Sequence, residues 1–169
     1  MRRCYCVLLG LAKARQKLPT CTKRLLVEAL VFPHLQYCIT VWGNCSSVQK
    51  RRIQKVINFG VRIVSGLRRH DHVMPMRREL GWCTVDELIT ERDVAAMRQL
   101  LTAPTASELL CERVVHRSDV SARCTRATTD GQLHLPRVRT EFARRSFFYR
   151  AVSRWNSLRS TANGESTDN

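Results

Sequence analysis

Residues 48–67 read VQKRRIQKVINFGVRIVSGL, and this stretch decides the fold. Advancing about 100° per residue from Arg51, the residues Ile53, Val56, Ile57, Gly60, Val64 and Leu67 fall within about 50° of one direction. Arg51, Lys55 and Arg62 fall within about 40° of the opposite direction, and Arg69 joins them if the helix survives Gly66. Lys50 and Arg52 flank the stripe. The period predicts an amphipathic helix from Val48 to about Leu67, opened by Ser46-Ser47. It carries seven basic residues through Arg69 and no acid. A solvated helix face ordinarily mixes signs to gain i,i+4 pairs. A face of cations alone gives up that gain and points to a polyanionic partner.

The flanks extend the helical pattern. Arg3 to Gln16 predicts a first helix, and Pro19-Thr20 starts a second. The apolar residues of the second are Leu25, Leu26, Ala29, Leu30, Leu35, Ile39 and Trp42, with a kink or break at Pro33. Downstream, Met74 to Leu80 is a short run ended by Gly81. Thr84-Val85-Asp86-Glu87 has the capping-box pattern and starts a helix reaching about Leu101. Ala106 to Val115 predicts another short helix. Arg117 to Thr140 is polar, includes the turn signal Asp130-Gly131, and predicts a long loop with a brief extended piece at Leu133–Pro136. Glu141 to Leu158 is the last expected helix. Phe147, Phe148, Ala151, Trp155 and Leu158 share one face of it, with Arg144, Arg145, Arg150, Arg154 and Arg159 around them. Core packing is the expected role of those aromatics. Tyr149 lies off that face and is the aromatic to test for base stacking. Residues 160–169 hold nothing to bury and predict a disordered tail.

Charge is clustered rather than spread. The 169-residue chain has 29 Lys and Arg against 14 Asp and Glu, a formal net charge of +15. Residues 1–70 contain one acid, Glu28, and the only acid of residues 136–159 is Glu141; the segment between is near neutral. General solubility does not predict two basic blocks flanking a neutral centre, whereas binding to nucleic acid does. No stretch has the apolar length of a membrane span, so no membrane partner is expected.

The eight cysteines fall mostly within apolar helical stretches, so buried reduced thiols are expected rather than a disulfide framework. Met1-Arg-Arg followed by the apolar run Cys4–Ala12 imitates a signal peptide. The imitation is short and Gly10 interrupts it, which leaves a small secreted cysteine-rich protein as the weaker alternative. Cys4-x-Cys6 and His70-x-His72 are isolated pairs with no second pair for zinc. A Cys–His nucleophile pair has no supporting motif, and no glycine-rich phosphate loop is present. No catalytic residue, metal or cofactor is expected.

Three stretches together resemble one family. The first is Leu30-Val31-Phe32-Pro33-His34-Leu35-Gln36-Tyr37-Cys38 with Val41-Trp42-Gly43-Asn44. The second is the basic helix ending Arg62-Ile63-Val64-Ser65-Gly66, followed by Glu79-Leu80-Gly81-Trp82. The third is Leu135-Pro136-Arg137 with Arg139-Thr140, then Arg145-Ser146-Phe147-Phe148-Tyr149-Arg150 and Trp155-Asn156-Ser157-Leu158. Their order and spacing are similar to the region after the polymerase core in non-LTR (LINE-type) retrotransposon reverse transcriptases of the Jockey and CR1 kind. The resemblance runs over roughly residues 8–159. It implies a thumb that grips a template–primer duplex by its backbone, and a looser nucleic-acid role for the last Arg/aromatic helix. The sequence departs from that family's full pattern. It has no Asp-Asp dipeptide to hold two metals, no palm, no endonuclease and no Cys-Cys-His-Cys knuckle.

The expected architecture is therefore mainly α: a thumb-like helical bundle followed by a smaller helical C-terminal unit, joined by a long polar loop. Residues 1–70 are the basic thumb-like helices and 71–116 a near-neutral scaffold. Residues 117–140 are the loop, 141–159 the Arg/aromatic helix and 160–169 the tail. The expected function is that of a catalytically incomplete piece of an RNA-directed DNA polymerase that keeps a backbone-contacting surface. The alternative is the C-terminal part of a longer active reverse transcriptase. The candidate contact residues are Lys50, Arg51, Arg52, Lys55, Arg62, Arg69, Arg144, Arg145 and Arg150. The partners expected are RNA, DNA or a hybrid with little sequence preference, and a polymerase core. The location expected is intracellular, nuclear or cytoplasmic.

Overall fold

Ser46 caps the decisive helix by accepting from the Gln49 backbone N–H at 3.5 Å, and the helix runs Ser47–Ser65 with Gly66 left-handed behind it. The computed structural model describes residues 2–14, 16–103, 108–120 and 131–164, and it is mainly helical, as the periodicity predicts. In chain order the helices are α1 (Arg2–Ala14), α2 (Thr20–Leu30), α3 (Phe32–Gln36), α4 (Ile39–Trp42), α5 (Ser47–Ser65), α6 (Met74–Glu79) and α7 (Val85–Thr102). They continue as α8 (Glu108–Cys111), α9 (Arg117–Val120), α10 (Glu141–Arg144) and α11 (Phe147–Gly164). The chain forms two units, Met1–Ile39 with Cys45–Leu88, and Thr40–Asn44 with Ile89–Asn169. The division expected at residue 70 is thus misplaced, because residues 71–88 belong with the basic helices.

In the first unit α5 packs against α1, α2 and α6. It buries Val56, Ile57, Gly60, Val61, Ile63 and Val64. Val61 and Ile63 widen the expected stripe to a sector of about 160°, because both α1 and α2 cover it. Pro33 breaks the second helix as expected, standing in the first turn of α3. The buried line there is Val27, Val31, Leu35 and Ile39, at four-residue spacing across the break. Leu25 and Leu30, expected inside, are exposed.

The segment after α6 turns back through a Schellman arrangement: Trp82 N–H donates to Arg77 C=O at 3.0 Å and Gly81 N–H to Arg78 C=O at 2.9 Å. Gly81 has φ +70°, which a side chain adopts only with strain. The turn delivers Trp82 into the core. Its ring meets Phe32 edge-on at 4.9 Å, and its Nε1–H donates to Glu28 Oε1 at 2.9 Å. Gly60 permits this approach. A Cβ there would sit 3.1 Å from Val27 Cγ1 and 3.4 Å from the Trp82 ring. Gly60→Val is expected to cost about 1–3 kcal/mol through overpacking. Gly10→Ala, where a Cβ meets nothing within 4 Å, should instead stabilise by up to about 1 kcal/mol. Urea midpoints of the two variants, moving in opposite directions, check both.

The capping box forms as its pattern predicts: Thr84 N–H donates to Glu87 Oε2 at 2.6 Å, and Glu87 N–H to Thr84 Oγ1 at 3.2 Å. Hydrogen bonds from Thr84 hold the Glu87 carboxyl below its ordinary value. Those from Trp82 and then Arg24 do the same for Glu28, whose ordinary value is 4.5. A carboxyl with a lowered folded-state value stabilises fully above its unfolded value, and that contribution disappears as pH falls through the folded one. Glu28→Gln keeps an acceptor for Trp82 but removes the titration. Thermal melts between about pH 6 and about pH 3 should therefore fall less steeply for Glu28→Gln than for wild type.

In the second unit Met97, Leu133, Ala151 and Val152 form the core, with Leu101, Val114, Phe147 and Trp155 packed on it. The expected loop is partly structured. His116 and Leu133 make an antiparallel bridge, and α9 occupies Arg117–Val120. Asn156 clamps Leu133 from both sides, accepting its N–H and donating to its C=O, each at 2.9 Å. The expected last helix is interrupted at Arg145-Ser146, and its second part continues to Gly164, through the first half of the expected tail. Leu158, expected on the apolar face, is exposed. The remainder of the tail, the turn at Asp130 and the helix start at Ala106 lie outside the described residues.

Of the seven described cysteines only Cys4 is buried; Cys6, Cys21 and Cys38 are exposed, which corrects the expectation of buried thiols, and all seven are free. Cys6 and Cys21 depart from it because a helix covered on one side still points part of its apolar stretch outward, and Cys38 because it stands in the turn between α3 and α4, with φ 49°.

Candidate nucleic-acid interface

The outer face of α5 divides its cations into exposed and engaged ones. Arg51, Arg52 and Lys55 are exposed or half-exposed along the first half of the helix. Arg51 lies along its own helix, Nε donating to Ser47 C=O at 3.4 Å. Arg69 is exposed in the segment after Gly66. Arg62 is half-buried and organises that segment, donating through Nε to Arg68 C=O at 3.3 Å and through Nη2 to Asp71 C=O at 3.5 Å. Lys50 differs from the rest. It is ion-paired with Asp86 at 2.8 Å, so a phosphate must compete for it.

Four of the five acids of this unit are turned to local partners, and the fifth, Glu79, is exposed at the end of α6. Glu28 serves Trp82 and Arg24, Asp71 accepts from the Arg68 backbone N–H at 2.6 Å, Asp86 holds Lys50, and Glu87 caps α7. No acid stands on α5 itself. The potential over its outer face is therefore positive, with cations repeating at the spacing of a helical turn.

A groove of about 640 Å³ opens beside this face. It is lined by Lys55, Asn58, Phe59, Arg62 and Arg69, with Ala12, Ile63 and Leu67 completing it. Phe59 is invisible to the sequence pattern because it belongs neither to the apolar stripe nor to the charge run. On the same wheel it falls near 80°, outside the buried sector and among the cations.

The second unit uses its arginines differently. Asp93 is fully buried, and Arg150 Nε and Nη2 meet its two carboxylate oxygens at 2.9 and 3.1 Å. Arg154 adds a further short contact to the same carboxylate. Arg150 also donates to the carbonyls of Arg145 and Thr40. Arg150 is therefore not a phosphate contact, because burial and a bidentate partner commit its donors to the interior. Arg145 is half-buried beside Glu141, at 3.9 Å, and only Arg144 of the three expected contacts is exposed or nearly so. Arg159 lies over the Trp155 ring at 5.4 Å, and Arg113 over Phe148 at 5.8 Å. Tyr149 is half-buried. Within the basic block of residues 136–159, Arg150 and Arg154 are thus committed to Asp93, which spacing alone could not reveal, whereas Arg137, Arg139 and Arg144 are exposed.

Among the described residues no group of three or more His, Cys, Asp or Glu is placed to hold a metal ion. No described helix is long and apolar enough to cross a membrane. No family model, no curated protein and no solved structure matches the chain.

Proposed function

We propose that this protein binds nucleic acid through the phosphate backbone, with the outer face of α5 as the contact surface and little sequence preference. One observation carries the reading: Arg51, Arg52 and Lys55 stand together, exposed, on the outer face of a helix that has no acid, and Asp86 beside that helix is held by Lys50. The resemblance to the thumb and post-thumb region of LINE-type reverse transcriptases supports it independently and suggests an RNA–DNA hybrid, RNA or DNA as ligand. On this reading the chain is a catalytically incomplete part of an RNA-directed DNA polymerase. A polymerase core is then its protein partner, its place is inside the cell, in nucleus or cytoplasm, and no residue here is assigned a catalytic role. The contact set is Arg51, Arg52, Lys55, Arg62 and Arg69, with Lys50 shared between phosphate and Asp86; Arg144 is a separate candidate on the second unit.

Anisotropy titrations of the purified chain on a labelled hybrid duplex over a salt series test this. With about six phosphates neutralised, log K against log salt should fall with a slope near about −5. Binding insensitive to salt, or no binding at low salt, contradicts the proposal.

A further inference from the structure

We infer that the groove beside the second half of α5 takes one unpaired nucleotide, so that the protein prefers a duplex end or junction with single-stranded character over a continuous duplex. The inference rests on the nucleic-acid reading above and goes past it. A helix that only tracks a backbone needs cations on a convex face. Here Lys55, Arg62 and Arg69 instead border a concavity of about 640 Å³. Phe59 stands in the wall with them, half-buried and outside the core sector of α5. Aromatic rings within a cationic groove are how single strands are held without sequence preference, the base stacking on the ring while the phosphate meets the cations. Asn58 lines the same groove, its Oδ1 accepting from Gln54 Nε2 at 3.0 Å. That bond orients the amide and leaves its NH2 donors for a base edge or a sugar hydroxyl. Arg62 is fixed by the Arg68 and Asp71 carbonyls, so one wall of the groove is ordered before a ligand arrives.

The test compares a blunt hybrid duplex with the same duplex bearing a three-nucleotide overhang. Wild type should bind the overhang form at least about fivefold more tightly, the contribution of one stacked base. Phe59→Leu should abolish that preference and keep its affinity for the blunt duplex. A second measurement needs no variant: an overhang carrying 5-iodouridine should photocross-link to wild type within the tryptic peptide Val56–Arg62. Equal binding to the two duplexes, or a cross-link only elsewhere, overturns the nucleotide groove while leaving backbone binding in place. Failure to bind either duplex overturns backbone binding itself, and the groove with it.

Discussion

Asp93→Ala is expected to lower the stability of the second unit by about 3–5 kcal/mol, the largest single-site effect in the molecule. The carboxylate is fully buried, and two guanidinium groups depend on it. Removing it leaves Arg150 buried and Arg154 partly buried, with like charges facing each other across the space the carboxylate filled. A buried pair adds little net stability when intact, because desolvation offsets the attraction, but deleting one partner exposes the whole desolvation cost. Arg150 also ties the Arg145 and Thr40 carbonyls, so its displacement would unfasten the break between α10 and α11. Chemical denaturation followed by circular dichroism checks this. A double variant, Asp93→Leu with Arg150→Met, should recover much of the stability. A cost below about 1 kcal/mol for Asp93→Ala would mean that water reaches the carboxylate and the interior is not built as described.

Reversing Arg51, Arg52 and Lys55 to Glu should weaken binding to a hybrid duplex by about 100-fold or more. The three changes place like charge against phosphate, and such juxtaposition costs several kcal/mol. All three side chains lie on the outer face, so stability should change little, within about 0.5 kcal/mol for each site. Arg62 stays unchanged in this variant, since it holds the Arg68 and Asp71 carbonyls and replacing it would mix folding with binding. The matching reversal of Arg144 alone should have a small effect. Affinity that survives the triple reversal would move the contact surface away from α5.

Much of the fold is legible in the sequence because periodicity and capping are local. The stripe of residues 48–67, the Ser46 cap, the break at Pro33 and the box at Thr84–Glu87 all rest on contacts three or four residues apart. The features that depart from expectation depend on distant partners. Leu25 and Leu30 fit a helical stripe but lie outside, since the cover over α2 follows Val27 and Val31. A boundary at residue 70 falls in the wrong place because Trp82 is held by Glu28, 54 positions earlier, and no local pattern announces that bond. Arg150 is the clearest case. Its neighbours Arg144 and Arg145 make it look like part of a basic face, whereas Asp93 draws it inward from 57 positions away. Phe59 shows the opposite limit, an aromatic that fits no template and gains meaning only from the groove it lines.

The most direct measurement is the change in salt slope when Arg51, Arg52 and Lys55 are neutralised to Gln. Withdrawing one cation from one phosphate should make the slope on duplex shallower by about 0.9, so the triple variant should lie about 3 units above wild type. Affinity alone could fall through a distant effect, but the slope counts the cations that displace counterions. A shallower slope of that size places these three side chains on the phosphates. An unchanged slope, with or without weaker binding, would contradict the assignment of α5 as the backbone-gripping face.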